Sequence, residues 1–424
     1  MKKGFMYLLA MFLLIGFLAA CGPDDSKKSG EKEDAKTTDE MPEKPETLTL
    51  WVNDEEKQRE ALEKMTKKYT EETGIKVEMI PVSMLEQIEK LDVEGPAGNG
   101  PDVIYQPHDR IGDLVLRGLV EPIDLGEKEE EYTENALKAV QYEEEYWGYP
   151  AVSETYALFY NKSRVKEEPK EMKQIMEIAE KDTNPAKDEY GFLLEAANLY
   201  FVYPFFSGNG AYVFGNENGK YDTTDIGLNN EGAIKGGELV QEWYEKEYIP
   251  QDLTPDILNG LFKEGKVSAV INGPWMVREY EEDLGEDLGA APIPVLDNRE
   301  HPKSFVGIKS YMLSYYSENK EWAQDLMAYL TNFESSLLYY DIAGELPARK
   351  DAMEDPEIVE NPLYSAFAEQ TKYGEPMPSV PAMQQVWEPF NDALNFISKG
   401  EPVEEVLNEA VESIKQKIES TGAN

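Results

Sequence analysis

The sequence predicts an α/β protein organised in more than one lobe, and three observations carry that expectation. Strand-like and helix-like patterns alternate between Leu48 and Tyr105. The chain has 424 residues, against the roughly 100–200 that make one domain. Residues 265–276 read Gly-Lys-Val-Ser-Ala-Val-Ile-Asn-Gly-Pro-Trp-Met, in which Val267 to Ile271 is an apolar, β-branched run short enough for a buried strand and Asn272-Gly273-Pro274 stops it. Trp275 is thereby delivered just past the strand's carboxyl end, where open α/β sheets bind their ligands. A flat aromatic there can stack on the apolar face of a sugar, a base or a drug-like ring, or it can plug the core; the stretch alone leaves both readings open.

Taken in order, the chain begins with Lys2 and Lys3 and then a nearly unbroken apolar run from Phe5 to Ala20, the layout of a secretory signal over residues 1–20. Leu18-Ala19-Ala20-Cys21 ends that run with small residues before the only cysteine. No intramolecular disulfide can form, so Cys21 reads as a lipidated new amino terminus, as in the lipobox of bacterial lipoproteins. The other reading, an uncleaved anchor helix, falls short of the roughly 20 apolar residues a span needs. From there to residue 46 the chain is Ser, Lys, Asp, Glu, Thr and Pro with scarcely an apolar side chain, and residues 21–46 are expected to be a flexible tether.

Order is expected from Leu48 to Val52, a strand, followed by a helix over Lys57 to Glu72 in which Ala61, Leu62, Met65 and Tyr69 fall on one face and Gly74 ends the turn. Ile75 to Val82 reads as a strand, Glu86 to Leu91 as a short helix, residues 95–101 as a Gly/Pro-rich loop and Asp102 to Tyr105 as a third strand; this alternation argues for a parallel sheet with helices on its faces. His108-Asp109-Arg110 follows that strand and opens a helix ending at Gly118, placing three hydrogen-bonding side chains at a crevice. His301 is far away and no Cys or HExxH pattern accompanies either histidine, so His108 reads as structural or ligand-orienting, with no metal.

Tyr146 to Pro150 and Glu154 to Tyr160 read as extended segments. Glu154 stands among aromatic and apolar neighbours, either as a ligand-binding carboxylate or as an edge salt bridge. Pro169 to Asp182 is a surface helix. In Tyr200-Phe201-Val202-Tyr203-Pro204-Phe205-Phe206 the rings cannot all point one way, leaving one or both of Tyr200 and Tyr203 to face a groove. Gly232 to Tyr248 is a helix with Ile234, Leu239, Val240 and Trp243 expected inward. The run Gly260 to Lys266 only mimics a phosphate loop, because Val267 stands where Ser or Thr must reach a metal and the loop precedes a strand. Ala290 to Val295 and Ser304 to Ile308 read as strands, and Glu321 to Phe333 as a helix. Met377 to Pro381 is a rigid loop leading to Trp387 near the start of a helix, and Val403 to Ile418 is the last helix.

Composition narrows the partners. The chain is 41% hydrophobic, enough for substantial cores, and carries a formal charge of −43. A surface this acidic repels phosphate at long range and excludes nucleic acid.

Several pieces, taken together, resemble one family: Trp51-Val52-Asn53, Gly100-Pro-Asp-Val-Ile104, His108-Asp109-Arg110, Tyr149-Pro-Ala-Val152, Tyr160-Asn161-Lys162, Glu217-Asn-Gly-Lys-Tyr-Asp222, Ile271-Asn-Gly-Pro-Trp275, Phe305-Val-Gly307 and Met377-Pro378. In that order, from about residue 47 to the end, they resemble family-1 extracellular solute-binding proteins, specifically the maltose/maltodextrin-binding proteins of ABC importers. The resemblance implies the two-lobe periplasmic-binding-protein-like fold (type II) with a cleft that closes by hinge bending. Lobe 1 would take residues 47–153 plus 311–356 and lobe 2 residues 157–307 plus 363–420. Glu55, Asp109, Arg110 and Glu154 would bond sugar hydroxyls, Tyr200, Trp275 and Trp387 would stack on pyranose faces, and Gln106 and Met377 would add contacts. Gln106 stands where the family often has tryptophan, Glu56 where it has lysine, Asn198 where it has glutamate and Asn391 where it has arginine; these departures bear on ligand length and linkage.

The implied protein is a monomeric receptor, lipid-anchored on the outer face of a Gram-positive cell membrane, without cofactor. It takes maltose, maltodextrin or cyclodextrin and hands it to the permease subunits of an ABC importer. Two other classes stay open on sequence: a surface-anchored carbohydrate-active hydrolase, whose carboxylates would need a set separation, and a receptor of the same fold for a peptide or an iron chelate.

Overall fold

The computed structural model describes residues 41–217 and 220–423; the predicted leader, Cys21, most of the tether and Asn218-Gly219 of the Asn-Gly-Lys-Tyr-Asp piece lie outside the described residues. Thr47–Val52 is a strand, Glu56–Thr73 a helix ended by Gly74 at φ +79°, and Lys76–Pro81 the next strand. Glycine is the residue that takes this left-handed position without strain, which is why the helix stops there. The buried face of that helix includes Ala61, Leu62, Met65 and Tyr69 at the expected spacing. Gln87–Glu94 follows as a helix and Val103–Pro107 as a strand buried along its whole length.

Two sheets result. The larger runs in the order Leu346–Pro347, Tyr149–Glu154, Phe305–Leu313, Val103–Pro107, Thr47–Val52, Lys76–Pro81, with Glu375–Pro376 beside the start of Phe305–Leu313. The pairings among the first three strands of the chain are parallel, as the strand–helix alternation requires, whereas Phe305–Leu313 enters antiparallel to both its main neighbours. The smaller sheet runs Leu288–Ala291, Ala157–Asn161, Val267–Asn272, Tyr190–Leu193, with only the last pair parallel. The sheets are therefore mixed, because strands arriving from the other half of the molecule run against the local direction.

Each sheet carries its own hydrophobic core. The first draws on residues 48–152 and 308–348, the second on residues 156–305 and 340–418. The chain crosses between them at Thr155, between two strands, within Phe305–Leu313, where Phe305 belongs to the second core and Ile308 to the first, and again between Ala348 and Ile358.

Three local expectations are corrected, and the Tyr200/Tyr203 alternative narrows to Tyr200. In the helix Glu231–Glu245 the buried face is Gly232, Ala233, Gly236, Gly237, Val240, Trp243 and Tyr244, and Ile234 and Leu239 are only half-buried. The reason is close approach: a Cβ on Gly236 would meet the Phe206 backbone at 2.9 Å, and one on Gly237 would meet Val403 at 2.5 Å. Tyr203 is fully buried, stacked on Phe305 at 3.9 Å and donating its hydroxyl to Glu375, so only Tyr200 of that run is left half-buried. The helix expected through Phe333 divides into Lys320–Leu330 and Phe333–Ala343, with Asn332 capping the second through Ser335 N–H. Tyr146 belongs to a short hairpin, and the strand proper is Tyr149–Glu154.

Candidate ligand site between the two cores

Val267–Asn272 is buried throughout and ends in a 3-10 turn over Pro274–Met276. A Cβ on Gly273 would overlap the Trp275 ring, so glycine is what lets the indole fold back over the turn. The ring is half-buried, packed against the second core on one side and lying 5.1 Å from the Lys309 ammonium.

Lys309 is the centre of the site, and the sequence reading missed it. It is 4% exposed and pairs with Glu154 Oε2 at 2.7 Å and Glu345 Oε1 at 2.5 Å. Glu345 is itself fully buried and also accepts from Gln58 Nε2 at 3.1 Å and the Tyr339 hydroxyl at 2.9 Å. Burial pulls the Lys309 ammonium down, but the two carboxylates together hold it above its ordinary value, so it stays charged. Burial raises the Glu154 carboxyl, and Lys309 opposes that rise. The edge salt bridge envisaged for Glu154 is thus a buried one, and the same carboxylate lies within electrostatic reach of Asp109.

The remaining predicted residues divide. Asp109 is buried and accepts from Gln384 Nε2, which bonds both its carbonyl and its carboxylate at 3.0 and 3.1 Å. Tyr200 packs edge-on against Tyr156 at 4.8 Å, and its buried hydroxyl has no hydrogen-bond partner among the described residues; burial first, then the charges of Glu154 and Asp109, push its pKa up. Phe305 links Tyr200, at 6.3 Å and 24°, to Trp387, at 6.0 Å and 71°. Met377 places its Cε 3.3 Å from a Cβ built on Gly307, whose other neighbour is Glu154. Glu55 precedes the helix Glu56–Thr73 at the rim; the protein around its carboxyl raises its pKa and Lys309 opposes the rise. Glu55, Asp109, Glu154, Tyr200, Trp275, Met377 and Trp387 therefore gather around Lys309 and Phe305.

Arg110 stands apart. Its guanidinium is aimed at the Leu85 carbonyl at 3.5 Å, and its Nε has no partner among the described residues. Gln106 is corrected more firmly: it is fully buried and donates to the Met84 carbonyl at 2.8 Å and to Gln87 Oε1 at 3.1 Å, so it supports the loop after Lys76–Pro81 and offers no accessible atom. The signal for Lys309 was a lone cation inside the otherwise uncharged Phe305–Leu313. Two surface cavities of about 700 and 750 Å³, one around Arg349 and one around Leu288 and Leu363, include none of the predicted residues.

His108 is buried and ties two backbone segments together, the structural one of its two readings. Ile308 N–H donates to Nδ1 at 3.1 Å, so Nε2 carries the proton and donates to the Met377 carbonyl at 3.0 Å. Burial lowers its pKa, with Asp109 opposing. A folded-state pKa below the unfolded value of about 6.5 means the unfolded chain takes up the proton first, so this histidine's contribution is present above about pH 6.5 and is lost as pH falls below it. Thermal melts of the unaltered chain and His108→Gln between pH 7 and pH 5 are expected to show the shallower acid loss in the variant; identical pH slopes contradict a buried neutral imidazole.

Residues 64–366 match the family model described as bacterial extracellular solute-binding protein. The chain belongs to that family. This binding protein is 33% identical over 428 residues to a galactooligosaccharide-binding protein of Bacillus subtilis (strain 168), covering 99% of this chain and 98% of the relative. The same identity and coverage relate it to a maltodextrin-binding protein of the same organism. Among solved structures, a cyclo/maltodextrin-binding protein complexed with maltotetraose superposes with a TM-score of 0.76 at 39% identity, covering 90% of this chain and 99% of that one. The fold is the two-lobed, type II α/β arrangement of these solute receptors.

Proposed function

We propose that this binding protein takes a maltodextrin between its two cores and delivers it to an ABC importer. The observation that carries the reading is the set of half-buried rings, Tyr200, Trp275 and Trp387, disposed around the carboxylates Glu154 and Asp109. Pyranoses present C–H groups on their faces and hydroxyls at their rims, so rings and carboxylates together are complementary to them. The names of the maltodextrin-binding relatives support the α-glucan over other oligosaccharides.

The lobes are proposed to run over residues 47–153 plus 311–356 and 157–307 plus 363–420, a division supported by the two separate cores. Closure would bend the chain at Thr155 and within Phe305–Leu313. The protein acts as a monomeric receptor and performs no hydrolysis. Competition among maltotetraose, a cyclodextrin and a galacto-oligosaccharide, read by tryptophan fluorescence, tests the ligand class. Maltotetraose is expected to displace the others, and preference for the galacto-oligosaccharide would replace the ligand while keeping the receptor.

Anchoring through a lipid on Cys21, on the outer face of a Gram-positive cell membrane, is supported by the Leu18-Ala19-Ala20-Cys21 sequence and by a relative named a solute-binding lipoprotein. Among the described residues no helix is long and apolar enough to cross a membrane. Cys21→Ser is expected to move the protein from the membrane fraction into the medium; unchanged membrane retention contradicts the anchor.

A further inference from the structure

We propose that Lys309 is a positioning residue of the sugar site, fixing the Glu154 carboxylate and the Trp275 ring in one arrangement so that hydroxyl binding and ring stacking are set together. The proposal rests on the maltodextrin reading of the cleft. An ammonium has three N–H donors and no acceptor. Lys309 donates to Glu345 Oε1 at 2.5 Å, forms an ion pair with Glu154 Oε2 at 2.7 Å and has the Trp275 ring centroid 5.1 Å away. The side chain is 4% exposed. A cation this enclosed acts on a ligand through the neighbours it holds.

Those neighbours come from separate parts of the fold. Glu154 ends the strand that leads to one crossing between the cores, Glu345 follows the helix Phe333–Ala343, and Trp275 packs against the second core. Lys309 itself sits on the strand that makes a second crossing, one residue after Ile308 of the first core. A cation over an aromatic face is attracted by the ring quadrupole, and the attraction grows where water is excluded. Moving Trp275 thus perturbs the Lys309–Glu154 pair, and removing the cation leaves Glu154 and Glu345 as two buried carboxylates without a partner charge. Glu345, held also by Gln58 and Tyr339, anchors the ammonium from the first core's side.

The test is a double-mutant cycle on the full chain, with calorimetric titration of maltotetraose into the unaltered protein, Lys309→Met, Trp275→Ala and the double variant. Lys309→Met is expected to raise Kd about ten-fold or more. The double variant is expected to fall short of the product of the two single losses by about three-fold or more, because the ring being positioned is gone. Losses that multiply to within about three-fold, or an unchanged Kd in Lys309→Met, overturn the proposal. A purely structural lysine would lower the melting temperature and give multiplying losses. Should Lys309→Met not fold, Lys309→Met/Glu345→Gln keeps the net charge of the buried cluster and enters the same cycle, referred to Glu345→Gln. If the unaltered chain does not bind maltotetraose, the ligand reading has failed, and the cycle is run on the oligosaccharide that does bind, with the same criterion.

Discussion

Replacing Trp275 by Ala is expected to weaken maltotetraose binding by about 1–3 kcal/mol, roughly 5- to 150-fold in Kd. The indole is held in a defined place by the Asn272-Gly273-Pro274 turn, by its packing on the second core and by the Lys309 ammonium above it. It is only half-buried, so it has surface left to give a ligand. Truncation removes that surface while leaving the strand Val267–Asn272 intact, so the melting temperature is expected to fall far less than the affinity. Calorimetry beside a thermal melt separates the two, and an unchanged Kd with a large loss of stability would return Trp275 to the role of a core plug.

A large effect on stability is expected at Glu345. This carboxylate is fully buried and accepts from Lys309, Gln58 and Tyr339. Glu345→Ala leaves two neutral donors without an acceptor and strips the ammonium of one of its two counter-charges, a loss of about 3–5 kcal/mol. Glu345→Gln retains an acceptor oxygen for Gln58 and Tyr339 and is expected to cost less. Urea denaturation gives both values; equal stability of the unaltered chain and Glu345→Ala would contradict the buried network.

What could be read from the sequence followed its periodicities. The strands at 47–52, 76–81 and 103–107 and the helix Glu56–Thr73 announce themselves by alternating patterns and a glycine stop, and Val267–Asn272 by its β-branched run. Trp275 was legible because a stop signal directly precedes it. Lys309 and Glu345 were not, since their pairing joins positions 36 apart that a local pattern cannot connect. A single lysine in Phe-Val-Gly-Ile-Lys-Ser-Tyr-Met-Leu is nonetheless a signal: a cation in a strand with both faces covered needs buried carboxylates. The inner face of Glu231–Glu245 escaped for the opposite reason, because glycines carry no apolar signal although they allow the closest packing. Gln106 was misplaced because position in a motif says nothing about whether a side chain turns toward the cleft or toward the loop beneath it.

The account stands most directly on one measurement, calorimetric titration of the full chain with maltotetraose at several temperatures, with reducing ends assayed in the same samples. It predicts saturable one-to-one binding, a negative heat-capacity change from burying sugar faces on Tyr200, Trp275 and Trp387, and no release of reducing ends. Absence of binding heat at every one of the temperatures, or a steady rise in reducing ends, would contradict it.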